Sequence, residues 1–184
     1  MKQLCFSEMM EMASLGSKVL HFRCVELAAK FGIRIHVRST FEKKEGTWVV
    51  PEVKNMETPV VSAVTHEEQT AVIKVFPVPF GSGFLAQLFT QLAEEGVVVD
   101  IITQSHNESG QQRLAFSVSV DDLPKAREIL EKSLKTKVEV EVMQDVSKVS
   151  VVGVGMRNHP GVAARFFSIL NDLKVPIHLV TTSD

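Results

Sequence analysis

The residues able to carry chemistry are few and scattered. Six histidines and two cysteines occur among 184 residues, and none stands at Ser/His/Asp, Cys/His or metal-ligand spacing. His159 occupies a turn ahead of a helix and His178 lies between Ile177 and Leu179; a polar turn residue and a strand-alternation residue are the simpler assignments. Gly81-Ser-Gly83 and Gly153-Val-Gly155 each link a strand to a helix, where backbone amides can hold an anion. Neither matches a dinucleotide fingerprint or a P-loop, and a tight glycine turn explains each as well. The chemistry that fits better is recognition of a free amino acid. Unpaired amides at the start of a helix over residues 83–95 can accept its carboxylate. Asp100, the only charged residue in Val97 to Ile102, can meet its ammonium or simply face solvent; the residues leave both open.

These positions belong to a unit that the chain contains twice. Val149 to Asp184 reads as strand (Val149 to Val154), turn, helix opened by Pro160-Gly161, and strand (Pro176 to Thr181). Ala71 to Ser105 repeats it without a gap: Gly83 falls on Gly161, Phe89 on Phe167, Leu92 on Leu170, and Ser105 on Ser183. Each copy is one supersecondary unit that needs a partner. Around the first copy, strands are expected at Val60 to Val64 and Ala71 to Phe76, joined by a polar turn through His66 to Glu68. A helix over Gly83 to Glu95 follows, its stripe of Phe84, Leu85, Leu88, Phe89, Leu92 and Ala93 facing a sheet. Then come a strand at Val97 to Ile102, a hairpin strand at Leu114 to Val120, a helix capped by Asp121 or Asp122, and a strand at Val138 to Val142. The order β-α-β-β-α-β is the split βαβ, ferredoxin-like plan. The second copy stops after its second strand.

Residues 1–58 differ. Helices are expected at Phe6 to Leu15 and His21 to Phe31, with Gly32 ending the second. A strand at Ile33 to Arg38, a short apolar segment at Thr47 to Val50 and a linker from Glu52 complete a segment too small for its own core. Composition, at 45% hydrophobic and 23% charged with net charge −2, carries no footprint for nucleic acid or anionic membrane. No apolar run is long enough to cross a bilayer, and the N-terminus is unlike a signal peptide. Two isolated cysteines fit a reducing cytoplasm.

Three motifs carry a family resemblance. Gly153 to Phe167 (Gly-Val-Gly-Met-Arg-Asn-His-Pro-Gly-Val-Ala-Ala-Arg-Phe-Phe) resembles the second ACT domain of an aspartokinase. Glu8 to His21 (Glu-Met-Met-Glu-Met-Ala-Ser-Leu-Gly-Ser-Lys-Val-Leu-His) is similar to the end of that family's kinase domain, as are Val25 to Gly32 and Ile35 to Phe41. The resemblance covers essentially the whole chain in the family's order. Departures are a Phe22 where the family has proline, the lack of any Gly-Gly, and a first ACT loop without Asp-Arg-Pro-Gly. That loop, Ser82-Gly83-Phe84-Leu85-Ala86, resembles the one in lysine-sensitive members.

The resemblance implies an α+β chain of tandem ACT (ferredoxin-like βαββαβ) domains, the second truncated, behind the tail of a kinase domain. Its divisions would be residues 1–58 for tail and linker, 59–146 for the first ACT domain (with strand 60–64 possible in the second), and 147–184 for the start of the second. It implies the regulatory portion of an enzyme that phosphorylates the β-carboxylate of L-aspartate with ATP, inactive alone and cytoplasmic. No cofactor is expected in this chain, since ATP and magnesium belong with a complete kinase domain. The effector, lysine or threonine, would contact Ser82, Gly83, Phe84, Leu85, Val98, Val99, Asp100, Gln104 and Ser105. Met156, Asn158, His159, Pro160, Gly161 and Val162 occupy the equivalent loop of the second copy. The implied partner is a second copy of the chain, joined through ACT domains. The alternative is an assembly module that docks a separate catalytic subunit and binds no ligand.

Overall fold

The computed structural model describes residues 1–52, 60–78, 82–107, 110–133, 138–153, 156 and 159–182, and Ser82 by its backbone alone. Contacts divide the chain in the main into Met1–Glu67 with Val149–Val180, and Glu68–Lys148.

In the first unit, β1 (Gln3–Cys5), α1 (Phe6–Ser14), α2 (Phe22–Lys30), β2 (Ile35–Val37) and β3 (Thr47–Val50) follow in order. The strands form one sheet in the order β1-β3-β2, with β1 parallel and β2 antiparallel to β3. The helices lie where the apolar spacing predicts. Contrary to the expectation that this segment is too small for a core of its own, Leu4, Phe6, Met9, Val25, Ala28 and Val49 close a small one, to which the unforeseen strand β1 contributes Leu4. The alternation in β2 sends Ile35 and Val37 toward that core, while His36 stacks on Trp48 with ring centroids 3.9 Å apart. His21 is the N-cap of α2, its Nδ1 accepting from the Arg23 amide at 3.3 Å. Gly32 follows α2 with φ +64°, the left-handed geometry that ends many helices. Strand β1 was not legible, because three residues show no alternation and its hydrogen bonds go to β3, more than forty residues away.

Glu8 of α1 is buried. It accepts from the amide and thiol of Cys5, each at 3.1 Å, and from the Ser62 hydroxyl. Burial pushes the Cys5 thiol above its ordinary pKa, so it stays protonated and unreactive at neutral pH. Ser62 donates its amide to the Val152 carbonyl at 2.7 Å. Beside that contact a Cβ on Gly153 would lie 2.3 Å from the Val60 carbonyl oxygen, so only glycine permits the approach. Helix α5 (Val162–Asp172) has no buried residue. Pro176 to Thr181 forms no strand: it is apolar enough, but no neighbouring strand among the described residues accepts its amides, and a strand exists only in a ladder.

The second unit runs β4 (Ala63–Phe76), α3 (Ser82–Glu94), β5 (Ile102–His106), β6 (Gln112–Ser119), α4 (Leu123–Ser133), β7 (Glu139–Val152). The sheet order is β5-β6-β4-β7, with β4 and β5 both antiparallel to β6. This is the split βαβ arrangement that the repeat and the order of elements imply. Ala71, Ile73 and Val75 from β4, Leu114, Phe116 and Val118 from β6, Leu88 and Leu92 from α3, and Leu123, Ala126, Ile129 and Leu130 from α4 make its core. Phe89 meets Phe116 edge to face, 5.7 Å between centroids. At the start of α4 the Asp122 carbonyl takes the Ala126 amide at 3.0 Å, and Asp122 and Ser119 bond reciprocally through amide, hydroxyl and carboxylate. Of the two candidate caps, Asp122 stands directly ahead of Leu123, with its carboxylate turned back to Ser119.

Three expectations for this unit give way. His66 to Glu68 is not a turn, because β4 runs through it as one 14-residue strand. Likewise β7 is continuous where two strands were expected. Each long strand lies against the other, and ladder hydrogen bonds hold polar residues extended when their side chains reach water. The third change concerns Val97 to Ile102, where the ladder begins only at Ile102.

Candidate functional site

The stretch between α3 and β5 is shaped by hydrogen bonds at both ends. The Val97 amide returns to the Leu92 carbonyl at 2.8 Å, fastening the chain to the end of α3. Asp100 donates its amide to the Ser117 carbonyl at 3.2 Å, Ile101 donates its own to the Ser117 hydroxyl at 3.0 Å, and the Ser117 amide returns to the Ile101 carbonyl at 2.9 Å. Two residues thus face one, the arrangement of a β-bulge, which breaks a ladder and re-aims side chains. Val97 is buried and Val99 packs on the core, while Val98 is 72% exposed. Asp100 extends a half-exposed carboxylate, ion-paired with Lys148 of β7, whose side chain is only 8% exposed. The sequence marked Asp100 but gave no sign of Lys148, which lies 48 positions away.

At the other end of β5 stand Gln104 and Ser105. Gln104 pairs in register with Leu114, which pairs in turn with Val75. The Val78 amide bonds the Gln112 carbonyl at 2.8 Å, and Gln112 pairs with His106. This end of the edge strand therefore adjoins the connection that leads into α3. Gly83 is exposed there, and Phe84 and Leu85 pack partly on the core. Leu85, Ala86, Phe89, Thr90, Ala93 and Glu94 line a shallow, mostly apolar depression along α3. The first turn of α3 presents amides without helical acceptors, the natural seat of a carboxylate.

The candidate residues of the first copy therefore fall into two groups. Gln104 and Ser105 lie at the end of the edge strand nearest Val78, which stands four residues ahead of the run Ser82, Gly83, Phe84 and Leu85 in the chain, and Val98, Val99 and Asp100 lie at the other end. Four residues of extended chain separate Asp100 from Gln104, roughly 13 Å. An extended lysine measures roughly 7 Å from carboxylate to side-chain ammonium at ordinary bond lengths. The backbone separation exceeds the length of the ligand, so one amino acid could join the two groups within a single copy only with both side chains and both hydrogen bonds fully extended.

In the second copy, Met156, His159, Pro160 and Gly161 precede α5, Val162 is its first residue, and Asn158 lies outside the described residues. Gly161 is the N-cap of α5 with φ +97°, and the His159 amide donates to the Met156 carbonyl at 3.3 Å. His159 is thus a turn residue, and His178 stands exposed outside any strand. Among the described residues no group of histidines, cysteines and carboxylates could hold a metal, and no helix is long and apolar enough to cross a membrane.

The last stretch, residues 149–184, matches the ACT domain family model. With the split βαβ unit on residues 63–152, this defines a protein of the ACT class. The chain is 38% identical over 98% of its length to an aspartokinase from Bacillus sp. (strain MGA3), of which it spans 44%. It is 33% identical to the ligand-free regulatory subunit of aspartate kinase from Thermus thermophilus, with 68% of this chain matching 83% of that one at a TM-score of 0.63. Escherichia coli aspartokinase III, solved in complex with lysine and aspartate in its T-state, matches all of this chain with 41% of its own, at 25% identity and a TM-score of 0.73. The chain belongs to the aspartokinase family. It spans less than half the length of the curated aspartokinases it matches.

Proposed function

We propose that these residues form the effector-sensing part of an aspartokinase, binding lysine or threonine, the end products of the pathway that begins with ATP-dependent phosphorylation of L-aspartate. One observation carries the reading: the carboxylate seat at the start of α3 and the anion at Asp100 lie at opposite ends of the exposed edge strand β5. A two-fold axis beside that edge sets β5 antiparallel to its copy. Asp100 of one chain then meets Gln104, Ser105 and the first turn of α3 of the other. Exposed Val98 and Ile102 would be covered in the same step, and an unpaired edge is a surface that recruits a strand. The binding of lysine by aspartokinase III supports the same class of effector.

Effector binding would select one arrangement of the paired units and so bias the kinase domain, by no more than its difference in affinity for the two arrangements. ATP and magnesium fall to that kinase domain and not to these residues, and the setting is cytoplasmic. Calorimetric titration with L-lysine and L-threonine, combined with sedimentation velocity, tests the reading. Saturable binding of one of them by a dimer is the expected result. A folded dimer silent to both would replace the reading with an assembly module that docks a catalytic subunit.

A further inference from the structure

Lys148 has no place in the site drawn so far, yet its ammonium occupies the one charged group that site offers to an effector's ammonium. We infer that Lys148 is a built-in competitor for the effector, a tethered ammonium that holds Asp100 until a free amino acid displaces it. The inference rests on the reading of Asp100 as the effector's anchor. The chemistry of the two rivals is the same: an ε-ammonium on a flexible stem is what L-lysine itself would bring, and the α-ammonium of any amino acid makes the same charge-assisted bond. The protein's own copy is held by the chain beside its target, so it competes at a high effective concentration whatever the supply of free effector.

The geometry fits a displaceable contact better than a structural one. Asp100 projects from an irregular stretch where the ladder is broken, and its carboxylate is 46% exposed, so a ligand can reach it. Lys148 is nearly covered in the paired state, but its long stem can carry the ammonium to water when the carboxylate is taken. Only the fraction of molecules with Asp100 released is competent to bind, and the apparent dissociation constant rises by the inverse of that fraction.

Titration of the full chain with L-lysine and with L-threonine tests this in four forms: wild type, Lys148→Met, Lys74→Met and Asp100→Asn. Lys148→Met keeps the stem and removes the rival, so affinity should tighten about fivefold. Lys74→Met removes a cation of the same sheet that pairs with Glu141 at 3.2 Å and leaves Asp100 untouched, so affinity should hold. Asp100→Asn should lose binding. Unchanged or weaker binding by Lys148→Met, with binding still lost in Asp100→Asn, overturns the competitor and leaves the effector site standing. Equal tightening in Lys74→Met overturns it too, by showing a general field effect. Binding by neither wild type nor any variant removes the effector reading and the competitor with it. Lys148→Gln answers the same question should the methionine variant fail to fold.

Discussion

Asp100→Asn is expected to abolish amino-acid binding while barely moving the unfolding of the free protein. Truncating one partner of a hydrogen-bonded charge pair at an interface costs about 2–5 kcal/mol, which is about thirtyfold to several thousandfold in affinity. In the free chain the same carboxylate is half exposed, the amide oxygen of asparagine can still accept from Lys148, and the long lysine stem can otherwise carry its ammonium to water. Asparagine keeps the size of the side chain, and the amides that shape the bulge belong to the backbone and to Ser117. Calorimetry of binding and of unfolding on the same sample separates the two effects. Retained affinity would remove Asp100 from the site, and a large fall in stability would make it a structural residue.

Phe116→Ala should have the largest effect on stability. Phe116 is fully buried at the centre of β6, paired in register with Ile73 on one side and Ile102 on the other, and it carries the edge contact of Phe89. Removing so large a buried ring costs about 3–5 kcal/mol, a large share of a domain's typical 5–15 kcal/mol. The only tryptophan, Trp48, lies in the other compact unit, so its fluorescence is the wrong probe. Amide exchange in Val72 to Val75 reads the effect where it arises, and protection there should fall several hundredfold or more. A loss below about 1 kcal/mol would mean that Phe116 does not lie in this core.

Local periodicity carried much of the architecture. The spacing of Leu88 and Leu92 placed α3 on a sheet, and the gap-free match of Gly83 to Gly161 and Phe89 to Phe167 disclosed the repeated unit. What escaped was set by residues distant in sequence. His66 to Glu68 reads as a turn until β7 lies beside β4 and holds it extended. The bulge at Asp100 depends on the Ser117 hydroxyl from the neighbouring strand, and no pattern within Val97 to Ile102 announces it. Pro176 to Thr181 has the composition of a strand without the partner that makes one. The site was legible in its residue types more than in its geometry. Asp100 stood out as a lone charge, but its distance from the start of α3 follows from the register of β5 on β6, and its bond to Lys148 from the folding of β7.

The separation of the two half-sites leads to a measurement by complementation. Gly83→Asp places a carboxylate where the effector's own would sit. The position is open, with nothing within 4 Å of an added Cβ, and an acidic residue suits the first turn of a helix. Alone, Gly83→Asp and Asp100→Asn should each fail to bind L-lysine or L-threonine. Mixed in equal amounts and allowed to exchange subunits, half of the dimers carry both lesions in one site and neither in the other. Titration of the mixture should then recover wild-type affinity at about one site per four chains. A mixture as silent as its components, with exchange verified, would contradict a site shared between two copies of the chain.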